Sequence, residues 1–451
     1  WRRRGPVDLA RRHLRRAGRG RSRGGRLMPL VSTRGRAVPA TWRDALVQGL
    51  APDGGLYVPQ RLEPLPGADI AALRGASLTD VGTAVGAWLL EGELPADTWA
   101  SIVADALDFP TPLVTLAHDL HVLELFHGPT FAFKDVGART MARLLAAFQQ
   151  SADPITVLVA TSGDTGSAVA QAFHGVTGTR VVVLYPDGKV SPVQEAQFAT
   201  LGGNVTAVAV DGTFDDCQRL VKAAFASPDL AARVRLTSAN SINIGRLLPQ
   251  AFYYAWASLQ LDRPAVFSVP SGNFGNLMAG LMAWRLGFPI ARFVAATTVN
   301  DVVPQYLTTG RFEPRPSTPT LANAMDVGHP SNFERMRWLF RDGLDAMRAM
   351  VTARAFTDAD VRLAIAELDE RYGYVADPHT AIGYLGATRV PAPAGAPRVF
   401  LATAHPAKFR EVVEPVLGRP VPLPAALEAA LARERHITRI PADDQALAAL
   451  L

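Results

Sequence analysis

From about residue 120 onward the chain repeats one unit: a short, continuously apolar run, a turn of small residues, and a stretch with helical spacing. HVLELF (121–126) precedes FKDVGARTMARLLAAF, ITVLVA (155–160) precedes GSAVAQAFHG, and VVVLYP (181–186) precedes SPVQEAQFATLGG. VTAVAV (205–210) precedes FDDCQRLVKAAFA, and AVFSVP (265–270), RFVAAT (292–297) and RVFLATA (398–404) lead into helical stretches in the same way. A strand with one wet face alternates polar and apolar residues. Runs that are apolar throughout are dry on both faces, which requires parallel strands covered by helices above and below. The pattern predicts an α/β protein. With 451 residues, there is chain enough for two or three domains with substantial cores.

Residues 28 to about 110 read differently. WRDALVQGL, DIAALRG and DVGTAVGAWLL carry apolar residues three and four apart, which predicts helices, and APDGGLYVPQ reads as a Gly/Pro-rich connector between the first and the others. PAPAGAP (391–397) and RFEPRPSTPT (311–320) read as surface connectors, too short for flexible tethers.

The net charge of +5 is unevenly placed. Residues 1–27 hold eleven arginines and one acid, Asp8, a net +10, which leaves −5 for residues 28–451. A nucleic-acid role would therefore rest on this segment alone. It lacks the apolar core of a secretory signal and is expected to be disordered or to lie upstream of a working start at Met28, a transit peptide being the alternative. The single cysteine, Cys217, falls in an amphipathic stretch and reads as a packed side chain, in keeping with a reducing cytoplasm. No run of eighteen apolar residues occurs, so no membrane span is expected. No ligand spacing suggests a metal site, and no G-x-S-x-G elbow suggests a serine hydrolase.

Two strand-to-helix junctions stand apart: TSGDTGSA after ITVLVA, and SGNFGN after AVFSVP. Small residues admit a ligand close to the backbone, and the following helix presents free N–H groups and its positive dipole end, which suits a phosphate or carboxylate. Either loop alone is equally consistent with a tight turn. Neither matches the G-x-G-x-x-G or GK[ST] nucleotide patterns. A third feature, FHGPTFAFKDVGART (126–140), places Lys134 among apolar residues where a loop should enter a helix. Both surroundings disfavour an ammonium, as a Schiff-base lysine requires; the competing reading is a lysine reaching past apolar neighbours to solvent.

FHGPTFAFKDVGAR resembles the pyridoxal-lysine segment of the threonine synthase family. TSGDTGSAVA, LYPDGKVSPVQEAQFATLGGN, TSANSINIGRLLPQ, VPSGNFGN, NAMDVGHPSNFER and TAHPAKF resemble further blocks of that family, in its order. The likeness runs from about residue 30 to the C-terminal PAD segment. It implies the fold-type II, tryptophan-synthase-β-like arrangement: two α/β domains holding pyridoxal 5'-phosphate between them, after a helical N-terminal segment. The expected division is 1–27, 28–115 (helical), 116–265 (smaller α/β domain with the lysine) and 266–451 (larger α/β domain with the phosphate loop).

The likeness also implies roles. Lys134 would be the Schiff-base lysine and proton-transfer base. Gly272, Asn273, Phe274, Gly275 and Asn276 would cradle the cofactor phosphate, and the Thr403 hydroxyl would face the pyridine nitrogen. Ser162, Thr165 and Gly166 would hold the substrate carboxylate, and Asn240, Ser241, Asn243 and Arg246 its phosphate end. Asp164 stands where many fold-type II relatives have Asn beside the cofactor's phenolic oxygen; its role is left open, because a carboxylate there would repel a phenolate. His127, His379 and His405 read as structural. The implied reaction converts O-phospho-L-homoserine and water to L-threonine and phosphate in the cytoplasm, by a monomer or homodimer. A threonine or serine dehydratase on the same fold is the alternative enzyme.

Overall fold

The computed structural model describes residues 28–149 and 153–451. The basic extension 1–27, with the expectations attached to it, lies outside these residues. In chain order the strands are β1 (Leu30–Ser32), β2 (Tyr57–Pro59), β3 (Leu113–Ala117), β4 (Leu120–Glu124) and β5 (Ile155–Ala160). Then come β6 (Thr179–Pro186), β7 (Val205–Asp211), β8 (Arg235–Ser238) and β9 (Ala265–Pro270). The last are β10 (Ile290–Thr297), β11 (Val351–Ala355), β12 (Arg398–Ala402) and β13 (Ile437–Pro441).

Two sheets organise the α/β body, in the orders β11-β10-β9-β12-β4-β3 and β13-β7-β6-β5-β8. The second is parallel throughout, and the first is parallel except for β3, which pairs antiparallel with β4. Every residue of β5 and of β9 is buried, as runs without a polar face require. Strand pairing does not follow the contiguous division expected from sequence. β3 and β4 precede the smaller sheet in the chain but join the larger one, and β13, from the far C-terminus, closes an edge of the smaller one. The chain thus crosses between the two sheets three times, between β4 and β5 near Lys134, between β8 and β9, and after β12.

The expected N-terminal helices form at Trp42–Gln48, Gly67–Ala72 and Leu78–Leu89, the last started by a Ser77–Asp80 capping box. A further helix, Ala96–Ala106, packs beside them, and Tyr57–Pro59, read from sequence as connector, pairs with β1. This segment props the site from below. The Leu46 carbonyl accepts from Thr237 and from Asn243, both at 2.9 Å. Cys217 is buried on the helix Phe214–Ala226, its thiol pushed up to about 12 by burial, as an unreactive packed residue should be.

Candidate active site

The site lies beyond the carboxyl ends of β4, β5, β8, β9 and β12, where open α/β sheets gather their functional loops. Lys134 is the first residue of the helix Lys134–Phe148, and no side chain caps that helix end. The preceding residues are stitched to the end of β12. Phe133 N–H donates to the Thr403 carbonyl at 2.9 Å, His405 N–H donates to the Phe131 carbonyl at 3.1 Å, and Ala132 bridges Ala404. Two segments about 270 residues apart thereby bring Lys134 and Thr403 together. Thr403 is buried and its hydroxyl has no protein partner among the described residues. It does not cap the turn that follows; His405 does so, accepting from Ala407 N–H through Nδ1.

Burial lowers the Lys134 ammonium to about 8. Asp164 partly offsets this, and repulsion from Arg246 and Lys408 adds to it. Lys408, which sequence reasoning did not single out, is the counter-ion of Asp164. Its Nζ lies 2.6 Å from Asp164 Oδ1, the two side chains being 0% and 4% exposed, and it donates to the Thr130 carbonyl at 2.8 Å. Gln194 donates to the same Asp164 oxygen at 2.8 Å. Burial alone would push the Asp164 carboxyl up, but the ammonium groups of Lys408 and Lys134 and these hydrogen bonds hold it well below the usual carboxylate range. Asp164 is therefore an ionised, paired carboxylate.

The loop after β5 presents Ser162 and Thr165, both partly exposed and with side chains free of protein hydrogen bonds among the described residues. Gly166 is a correction. Its N–H donates to Thr161 Oγ1 at 2.8 Å, so it has no donor to offer a substrate. Its lack of a side chain serves packing, because a Cβ there would stand 2.5 Å from the Thr161 methyl.

The loop after β9 leads through Phe274, at φ 61°, into the helix Gly275–Arg285, whose N-terminus no side chain caps. A Cβ on Gly272 would stand 2.5 Å from Met325 Cα, so only glycine lets the 323–332 segment close over the loop. The Asn273 side chain latches the loop, Nδ2 giving one of its two protons to Ser241 Oγ and Oδ1 accepting from Ser331 N–H, both at 2.6 Å, so the loop offers a phosphate the Asn273 backbone. Asn276, by contrast, keeps a buried Nδ2 with no partner.

The 240–246 segment splits in the same way. Asn243 is fully engaged: it caps Ile244–Leu247 by accepting from Gly245 N–H and donates to the Leu46 and Ser238 carbonyls, so its expected substrate contact is not available. Asn240 ties the loop to the end of β5 by donating to the Ala160 carbonyl at 2.9 Å. Ser241 Oγ accepts from Asn273 and, at 3.3 Å, from Asn332, which leaves its proton to donate elsewhere. Arg246 is 3% exposed and has no carboxylate partner within salt-bridge distance among the described residues; its Nε is buried without an acceptor. A buried, unpaired guanidinium calls for an anion. Arg335 holds this wall in place. Fully buried, it donates to the Tyr57, Ser241 and Ile242 carbonyls and to Asn332 Oδ1, and it too was absent from the sequence expectations.

Comparison with known proteins gives this geometry its context. The family "Pyridoxal-phosphate dependent enzyme" matches residues 106–403, flanked by "Threonine synthase N terminus" at 30–107 and "Threonine synthase, C-terminal" at 380–451. A threonine synthase of Serratia marcescens is 45% identical over 404 residues, covering 89% of this chain and 93% of its own. The chain belongs to the threonine synthase family. The crystal structure of threonine synthase from Escherichia coli superposes with a TM-score of 0.88 at 42% identity, covering 94% of this chain and 99% of that one. A pyridoxal-phosphate-bound threonine synthase from Brucella melitensis gives 0.89 at 38% identity, covering 94% and 98%. The fold is thus the fold-type II arrangement, and the cofactor is pyridoxal phosphate. As a threonine synthase, the chain is a pyridoxal-phosphate-dependent lyase, which sets the dehydratase alternative aside.

The residues present fit that cofactor. A lysine with a depressed amine opens a helix, an uncapped helix N-terminus with an unpartnered amide donor lies across the cleft, and an unbonded hydroxyl stands at the end of β12.

Proposed function

We propose that this chain converts O-phospho-L-homoserine and water to L-threonine and inorganic phosphate, with Lys134 as its Schiff-base lysine. The observation that carries the substrate is Arg246, a buried guanidinium without an acid partner, beside the helix that begins at Lys134. The cofactor has one phosphate, and the uncapped helix end at Gly275 with the backbone of Gly272–Phe274 is the socket for it. A second anion socket at Arg246 and the Ser241 hydroxyl is what a phosphorylated substrate needs and a dehydratase substrate does not.

When bound, pyridoxal phosphate supplies an aldehyde for the substrate amine and a ring that withdraws electrons from Cα. The Lys134 amine, unprotonated for a substantial fraction near pH 8, takes the Cα proton and serves the later transfers from the same position. Ser162 and Thr165 hold the substrate carboxylate at the end of β5. The phosphate leaving Cγ carries growing negative charge, which Arg246 and the Ser241 proton are placed to stabilise. A proton leaves Cβ as the phosphate departs from Cγ, Cγ gains a proton to become the methyl group, and water then adds at Cβ. The unbonded Thr403 hydroxyl would hold the pyridine nitrogen of the bound cofactor by donating to it, without charging it. The single buried thiol, Cys217, fits a reducing cytoplasm, and nothing in the chemistry requires more than one or two copies of the chain.

The test is product analysis. Purified protein with pyridoxal phosphate should release threonine and phosphate in equal amounts from O-phospho-L-homoserine. Deamination of threonine with no turnover of the phosphorylated substrate would sink the proposal.

A further inference from the structure

Asn276 is the second residue of the helix Gly275–Arg285 and is 8% exposed. The two ends of its amide meet different surroundings. Oδ1 accepts from the Tyr253 hydroxyl at 2.6 Å and from the Tyr254 hydroxyl at 2.7 Å, whereas Nδ2 has no partner among the described residues. Amide oxygen and nitrogen can exchange by a half turn, so the orientation needs a reason, and Tyr254 supplies it. Its hydroxyl has no other acceptor among the described residues, so its one proton must go to Asn276. Tyr253 has only a long alternative, Gln250 Oε1 at 3.4 Å. Burial raises both phenols well above their ordinary range, so each remains a donor. Flipping the amide would strand the Tyr254 proton and bury the carbonyl oxygen without a donor.

We infer that Tyr253 and Tyr254 are positioning residues that form a fork on the Asn276 carbonyl, holding both amide protons toward a phosphate-class anion. Neither residue touches the reacting atoms. Their helix, Gln250–Leu259, packs against Gly275–Arg285, and Gln250 joins the fork to the second socket by donating to the Arg246 carbonyl at 2.7 Å. The same donor could therefore serve the cofactor's phosphate or the substrate's, which share one chemistry. The inference rests on the reading of residues 272–276 as a phosphate cradle.

The test uses the full chain and the variants Tyr253→Phe, Tyr254→Phe, the double substitution, Asn276→Ala and Asn276→Asp. Cofactor dissociation constants come from absorbance titration, KM and kcat from phosphohomoserine turnover, and folding from thermal melts. One remaining phenol still fixes the amide, so each single variant should stay within about twofold, whereas the double should lose about tenfold or more in affinity. A loss in cofactor affinity identifies the cofactor phosphate as the anion, and a rise in KM identifies the substrate phosphate. Asn276→Asp keeps both phenol bonds but turns the donor into a charged acceptor, so it should lose as much when titrated below its own melting temperature, even should the double variant fold poorly. Single effects that simply multiply in the double variant, beside a weakened Asn276→Ala, would overturn the fork alone. An Asn276→Ala or Asn276→Asp protein that binds both phosphates as the parent does would overturn the fork and the role given to Asn276.

Discussion

Replacing Lys408 by Met removes one partner of a fully buried ion pair while keeping most of the side-chain volume. In the parent protein Asp164 Oδ1 accepts from Lys408 at 2.6 Å and from Gln194 at 2.8 Å, in a region closed to water. Without the ammonium, the carboxylate keeps Gln194 and the more distant charge of Lys134, neither of which replaces a direct ionic hydrogen bond. Removing one member of such a pair costs about 3–5 kcal/mol, because the other charge is left desolvated. The Thr130 carbonyl also loses its Lys408 donor, which places the expected loss toward the upper end. Urea unfolding of the cofactor-free protein at pH 7 measures it. Adding Asp164→Asn removes the stranded charge, so Lys408→Met/Asp164→Asn should recover about 2 kcal/mol or more relative to the sum of the single losses. A Lys408→Met protein destabilised by less than about 1 kcal/mol, or a double variant no better than additive, would refute the view of this pair as the electrostatic floor of the site.

The same pair tunes Lys134. The Lys134 amine of the apoprotein should react with an acylating reagent along a pH curve centred near 8, rising with pH as the free base forms, and Lys408→Met should move that curve upward by releasing Asp164 to favour the ammonium. Arg246→Leu should cost about 2–5 kcal/mol in kcat/KM for phosphohomoserine while cofactor affinity stays near the parent value; cofactor release with little substrate effect would assign Arg246 to the other phosphate. Thr403→Asp should still bind the cofactor but make threonine at least about tenfold more slowly, a barrier rise of roughly 1.4 kcal/mol, because a carboxylate favours a protonated pyridine nitrogen. Near-normal turnover in that variant would remove Thr403 from the mechanism.

What could be read in advance followed burial. The strands legible in the sequence, such as ITVLVA and AVFSVP, are inner strands buried on both faces, and their boundaries match β5 and β9. The strands that escaped notice within the two sheets, β3, β8, β11 and β13, occupy the four edges. An edge strand is short and faces water on one side, so RLTS, VTARA and ITRIP carry little apolar signal. Strand pairing across the expected division is likewise not written in local pattern, because the residues that pair are hundreds of positions apart.

The site divides along a similar line. Lys134, the two glycine loops and Arg246 sit in segments with a local signature: a lysine among aromatics, a strand-to-helix glycine turn, a charge in an apolar helix. Lys408 and Arg335 were hidden because their burial depends on partners far along the chain, Asp164 and Tyr57 among them. The signal available for Lys408 was its place between Ala and Phe in AHPAKF, an unusually apolar setting for an ammonium. Asn243 and Gly166 show the opposite error. Their residue types suit ligand binding, but their donors are spent inside the fold. Residue type marks a candidate, and only the three-dimensional count of hydrogen bonds shows whether a donor is left over.

The chain contains four lysines, Lys134, Lys189, Lys222 and Lys408, so the central assignment can be settled by one measurement. Borohydride reduction of the cofactor-bound protein followed by peptide mapping should place the pyridoxyl group on Lys134, in the segment FAFKDVGAR. A reduced adduct on Lys408, the buried lysine paired with Asp164, or on either of the remaining two would contradict the account.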